Sequence, residues 1–155
     1  QKVSSPNRRS YRPTQKGGHV MGTDTVAYIA GLFDGEGCVT CKQKKTKRKD
    51  RGGKIYNQWY IRCEIAMTDK HVIEWIHEVL GFGWCAEKKY KARPKHYKRQ
   101  WRWSCGYQDA LVFAKMIWPY VQVKVHAIEN IIDHYDSDKP DRKNVIDLNT
   151  YRQRK

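Results

Sequence analysis

The sequence contains no uninterrupted apolar run approaching 18 residues, so nothing in it reads as a membrane-spanning helix. Acidic side chains are scarce: 16 Asp and Glu stand against 31 Lys and Arg, a formal net charge of +15. A small acidic ligand does not account for that excess. A polyanion, with phosphates on a regular lattice, does. Hydrophobic residues are also few, at 39%, which predicts a polar surface. Aromatic residues are not scarce, with six Trp and ten Tyr, and a disordered basic tail would lack them. The 155 residues suffice for one folded domain with one buried core.

A second tight cysteine pair is missing too. The five cysteines include Cys38-x-x-Cys41, which offers half of a zinc site, but Cys63, Cys85 and Cys105 are single. On a strand, a spacing of three sends Cys38 and Cys41 to opposite faces. Free thiols are the favoured reading. An odd cysteine count and no secretory hydrophobic segment predict a reduced, intracellular setting (cytoplasm, nucleoid or organelle matrix) rather than secretion.

Periodicity supplies the elements. Residues 1–22 are polar, basic and aperiodic, and read as a flexible arm. Thr23-Asp24 is an N-cap signature, followed by an apolar helix over Thr25–Asp34 that Gly35 and Gly37 should stop. Val39–Lys47 alternates loosely, and Arg48–Gly53 reads as a turn. Tyr56–Thr68 is the clearest strand, with Trp59, Ile61, Cys63, Ile65 and Met67 on one face and polar residues on the other. Asp69 should cap a helix over Lys70–Leu80, and Gly81 and Gly83 follow it. Trp84–Ala92 and Tyr97–Tyr107 predict a hairpin around Arg93-Pro94-Lys95. Gln108–Trp118 reads as a helix, and Pro119 as the first turn of another over Tyr120–Tyr135. Residues 137–155 form a charged tail. The order predicts an α+β domain over residues 23–136: a four-stranded antiparallel sheet with helices on one face and the other face free.

The positive charge is concentrated. Lys42–Lys54 carries eight Lys or Arg and one Asp, and Lys88–Arg102 carries eight and no acid. Ordinary solvated faces mix the signs. A basic two-stranded ribbon fits the major groove of B-DNA, whereas the major groove of A-form RNA is too narrow for it. Duplex DNA is therefore the expected partner.

One segment carries chemistry: Ile29-Ala-Gly-Leu-Phe-Asp-Gly-Glu-Gly37. Gly31 and Gly35, four apart on a helix, leave a bare stripe that another backbone can approach. Glu36 falls at the helix C-terminus, the negative end of the dipole, where a carboxylate is poorly placed for stability. A divalent cation relieves that cost.

This segment resembles the motif of the LAGLIDADG homing endonucleases, with seven of nine positions identical or conservative. The order of elements from Asp24 to about Tyr135 is similar to the αββαββα core of that family. The resemblance implies a four-stranded antiparallel saddle-shaped sheet and a site-specific nuclease for long, nearly palindromic sites in double-stranded DNA. It implies Glu36 as the catalytic and metal-holding acid, with the carbonyl of Gly35 as a second ligand. Mg²⁺ is the implied cation, with Mn²⁺ as an alternative and Ca²⁺ as a non-catalytic substitute. Lys124, five residues after Pro119, takes the place of a basic residue near the scissile phosphate. Met67 stands where the family often has a water-ordering Gln, and His71 is the candidate to replace it. One motif copy in the chain implies a homodimer, with Ala27, Ala30, Gly31 and Asp34 at the interface. No small-molecule substrate is implied.

Base readout is expected from the polar parity of the strands: Cys38, Thr40, Lys42, Lys44 and Thr46, then Gln58, Tyr60, Arg62 and Glu64. The second hairpin adds Ala86, Lys88, Tyr90, Lys98, Gln100 and Arg102. Arg62 and Arg102 are expected at guanine edges. Two alternatives keep the same fold, an RNA-binding intron maturase and a non-catalytic DNA-binding module. A different nuclease chemistry, built on Asp69, Glu87 and Lys89, lacks the apolar strand context such sites use.

Overall fold

The computed structural model describes residues 21–47, 50, 52–90 and 96–135. The expected N-terminal arm before residue 21, the hairpin tip at Arg93-Pro94-Lys95 and the tail from residue 136 onward lie outside the described residues. The element order is α1 (Thr23–Glu36), β1 (Gly37–Lys47), β2 (Ile55–Met67), α2 (Lys70–Leu80), β3 (Trp84–Glu87), β4 (Trp101–Gly106), α3 (Gln108–Ile117) and α4 (Val125–His134). The strands form one antiparallel sheet in the order β1-β2-β4-β3. This is the α+β architecture the sequence predicts, and the four helices of the described residues pack on one side of it. No helix of the described residues is long and apolar enough to cross a membrane.

The alternation in β2 decides which side is covered. Ile61, Cys63 and Ile65 are buried with Trp103 and Cys105 of β4, where Cys63 and Cys105 are direct cross-strand partners. Onto that surface α1 brings Ile29, Ala30 and Phe33, α2 brings Ile73 and Ile76, α3 brings Phe113 and Ile117, and α4 brings Ile128, Ile131 and Ile132. Phe113 sits edge-on to Phe33 at 5.2 Å and tilted against Trp103 at 4.9 Å. The Trp103 indole donates to the Phe82 carbonyl at 3.0 Å, so the largest core residue leaves no buried donor unpaired. All five cysteines are free thiols. The Cys63 thiol is held well up from its usual range by its hydrogen bond with Cys105 and by burial.

Helix signals hold for α2. Asp69 accepts from the His71 and Val72 amides, and Gly81 closes the helix at φ 71°, a left-handed geometry that favours glycine. At α1 they hold only in part: Gly37 is the C-cap as expected, but Gly35 is not a stop and the N-cap is displaced. Gly22, not Thr23 or Asp24, is the N-cap, and its carbonyl receives the Thr25 and Val26 amides. The helix also runs through Gly35 and ends at Glu36. Gly37 turns the chain into β1, packed so tightly that a Cβ there would lie 2.4 Å from both the ring and the carbonyl of Phe33.

Two other boundaries need correction. The second hairpin is regular only over Trp84–Glu87 and Trp101–Gly106. One further bond, from the Lys88 amide to the Gln100 carbonyl at 2.8 Å, extends the pairing. Tyr90 and Lys98 therefore lie beyond the ladder. The last helix begins at Val125 rather than Tyr120, because a carboxylate from α1 captures the amides that precede it.

Candidate active site and nucleic-acid interface

Glu36 is exposed, the last residue of α1, where its carboxylate meets the unpaired carbonyl end of the helix. Beside it, Asp34 reaches across to the segment before α4. Its Oδ2 accepts from the Gln122 amide at 2.6 Å and its Oδ1 from the Lys124 amide at 3.0 Å. Those two bonds hold residues 122–124 outside the helix and make Lys124 the N-cap of α4 rather than a residue within it. The Lys124 ammonium then donates to the backbone carbonyl of Asp34. The basic group expected at the scissile phosphate is thus anchored two residues from Glu36.

The remaining α1 residues divide. Gly31 and Gly35 are exposed, and nothing lies within 4 Å of a Cβ built on either, so their face of the helix is open to another backbone. Ala27 is half-buried. Ala30 is fully buried in the chain's own core, so it presents no surface to a partner, contrary to expectation. Asp34 spends both carboxylate oxygens within the chain.

His71 is not near Glu36. It lines a groove of about 580 Å³ with Asp24, Thr25, Tyr28, Val72 and Trp75, between α2 and the first half of α1. Tyr28 is eight residues before Glu36, roughly 12 Å along the helix axis. The expectation that His71 orders catalytic water is corrected on that ground. Asp69 is spent as a helix cap, and Glu87 faces Arg99 at 3.8 Å, so the nuclease chemistry built on those acids does not assemble.

A metal site can be tested against the donors present. Glu36 and the main-chain oxygens of the helix end are all hard oxygen ligands, which suit Mg²⁺. Among the described residues no group of three or more His, Cys, Asp or Glu comes together.

The polar parity of the strands does converge on the uncovered face of the sheet. The register sets Cys38 against Glu64, Thr40 against Arg62, Lys42 against Tyr60 and Lys44 against Gln58, with Thr46 facing Tyr56. On the other side, Glu64 pairs with Ser104, and Arg102 with both Ala66 and Ala86. Cys38, Lys42, Lys44 and Gln58 are exposed, while Thr40, Thr46, Tyr60, Arg62, Glu64, Ala86 and Arg102 are half-buried. The Lys44 ammonium lies 3.9 Å from the centre of the Tyr60 ring. Lys88 lies 5.7 Å from the Tyr90 ring, and the Tyr90 hydroxyl bonds the Gln100 side chain.

Arg62 behaves differently from expectation. Its Nη1 donates to the Tyr60 hydroxyl at 3.1 Å and its Nη2 to Ser104 Oγ at 2.8 Å, with Glu64 Oε2 at 3.1 Å. Glu64 also faces Arg102 at 3.7 Å. Both Arg62 Nη atoms are thus already engaged by side chains of the same sheet face. Ser104 and Trp84 complete this cluster, and the polar-parity list omits both. Two-residue spacing from Arg102 and Ala86 places them on the same face, but Trp84 is apolar and reads as core.

A four-stranded antiparallel sheet with helices on one side, an acid ending α1 and a basic opposite face define a domain of the αββαββα type. The sequence profile of the LAGLIDADG endonucleases matches residues 29–109, just over half the chain, and the chain belongs to that family. Among solved structures it is similar to the homing endonuclease I-CvuI in complex with its target in the presence of Ca, at 11% identity and TM-score 0.52, over 82% of this chain and 90% of that one. A second I-CvuI structure, with the I-CreI target and Mg and the DNA not cleaved, matches at 18% identity and TM-score 0.51 over 67% of this chain. The chain spans 60% of the length of that structure's chain. The meganuclease I-SmaMI bound to uncleaveable DNA matches at 14% identity and TM-score 0.51, over 72% of this chain and 38% of that one. At these identities the likeness is one of fold. No curated protein matches.

Proposed function

We propose that the chain is a site-specific endonuclease for double-stranded DNA, acting as a homodimer with a divalent cation at Glu36. The observation that carries this reading is the Asp34 grip on residues 122–124, which puts the Lys124 ammonium at the same helix end as the Glu36 carboxylate. Glu36, with the Gly35 carbonyl, would hold Mg²⁺. When bound, the cation supplies Lewis acidity for hydrolysis of a phosphodiester P–O bond. Lys124 offers fixed positive charge to a phosphate whose negative charge grows in the transition state, and its anchoring spares reorganisation at that moment. Open glycines on α1 let a second copy bring a second Glu36 alongside, so two strands can be cut by two equivalent sites. The long β1–β2 ribbon, basic on its uncovered face, lies in the major groove and reads bases from the paired polar positions.

The test uses a plasmid library carrying randomised duplex inserts, incubated with the protein in Mg²⁺, followed by sequencing of new ends. Cuts should cluster in one nearly palindromic sequence and vanish with EDTA. No cleavage, or cleavage indifferent to EDTA, overturns the proposal.

A further inference from the structure

Trp84 is 44% exposed, and it stands on the face that carries Lys42, Lys44, Arg62 and Arg102. It sits in one cross-strand row with Ser104, Glu64 and Cys38. Its indole lies 5.1 Å from the Arg62 guanidinium. Gly106, the β4 residue opposite Arg62, raises no side chain between them. Ser104 beneath is fully buried, accepts from Arg62 and donates to Glu64 Oε2 at 3.5 Å. The Arg62 Nη atoms are engaged by Tyr60, Ser104 and Glu64 of the same face, so the guanidinium is fixed beside the indole. The cluster sets an aromatic plate at the β3 edge of a face that no helix of the described residues covers.

We infer that Trp84 is a specificity-determining residue that reads the C5-methyl group of a thymine in the major groove, with Arg62 and Glu64 as positioning residues for it. The step from plate to base is one of elimination. Every base edge in the major groove presents hydrogen-bond donors or acceptors, and only thymine adds an apolar group there. A mobile indole would lose side-chain entropy on contact. One already set beside a hydrogen-bonded guanidinium loses less. This inference rests on the proposed DNA-cleaving function and names one base contact of the same interface.

The experiment selects binding sites from a randomised duplex library in Ca²⁺ with wild-type protein, Trp84→Ala and Trp84→Phe. Wild type should enrich a site containing a thymine, one per half-site, whose preference Trp84→Ala loses and Trp84→Phe keeps in part. Replacing that thymine by uracil, which removes only the methyl, should weaken wild-type binding about fourfold, the worth of one buried methyl group. The same replacement should leave Trp84→Ala unchanged. Equal melting temperatures of the three proteins show that the exposed substitution has not altered the fold. If Trp84→Ala enriches the identical site, or if uracil costs both proteins alike, the inference is wrong while the DNA-cleaving function stands. If wild type enriches no sequence, both fall.

Discussion

Removing the Asp34 carboxylate should injure stability and chemistry together. Its two oxygens receive the Gln122 and Lys124 amides at 2.6 and 3.0 Å. A hydrogen bond to a charged acceptor contributes roughly 1.5–3 kcal/mol. The site is only half-buried, so water replaces part of what is lost. For Asp34→Ala we expect a loss of about 2–3 kcal/mol, which in a chain of this size lowers Tm by roughly 4–12 °C. Asp34→Asn should lose at least half as much, because its NH₂ group faces one of the two donors. Without the grip, residues 122–124 drift and the Lys124 ammonium leaves the end of α1. The single-turnover cleavage rate should then fall by at least 10²-fold, the loss typical of removing one preorganised charge donor. Thermal denaturation reads the first effect and single-turnover kinetics at saturating protein reads the second. Sedimentation separates this intrachain role from a contact between copies. Unchanged Tm and unchanged rate in Asp34→Ala would refute the argument.

Other expectations follow the same geometry. Lys124→Met should lower the single-turnover rate by roughly 10²–10³ with DNA affinity nearly intact. If affinity drops and the rate holds, Lys124 is a ground-state contact only. Gly31→Leu should yield monomers in sedimentation, since the open space over Gly31 is what a second α1 needs. A dimeric, fully active variant speaks against α1 as the seam. DNA affinity should fall by roughly 10³–10⁵ between 50 and 200 mM salt if six to ten phosphates are neutralised, and a flat titration places the DNA elsewhere.

Much of this was legible in one dimension. The alternation over residues 58–67 named both faces of β2, and Asp69 with Gly81 framed α2, because these signals involve neighbours in the chain. What failed depends on distant partners. Asp34 and Lys124 are ninety positions apart, so the carboxylate that holds residues 122–124 outside the last helix has no local signature. Pro119, a sound helix-start signal, lost to that pair of bonds. The reading of Ala30 as an interface residue failed because helical spacing does not say which side the chain's own sheet will take. Arg62 looked like a base reader by parity. Its ion pair with Glu64, two residues on, was readable from spacing, but its bond to Ser104 required the β2–β4 register, which no spacing encodes. Trp84 was hidden by its residue type, since apolar side chains at strand starts are usually core.

The central claim is that Glu36 holds the metal on which cleavage depends. The direct measurement compares wild type with Glu36→Gln on the selected duplex, reading binding in Ca²⁺ and cleavage in Mg²⁺. The amide keeps the shape and removes the charge, so the variant should bind the same sequence and leave it intact. A Glu36→Gln protein that cuts at the wild-type rate would contradict the account.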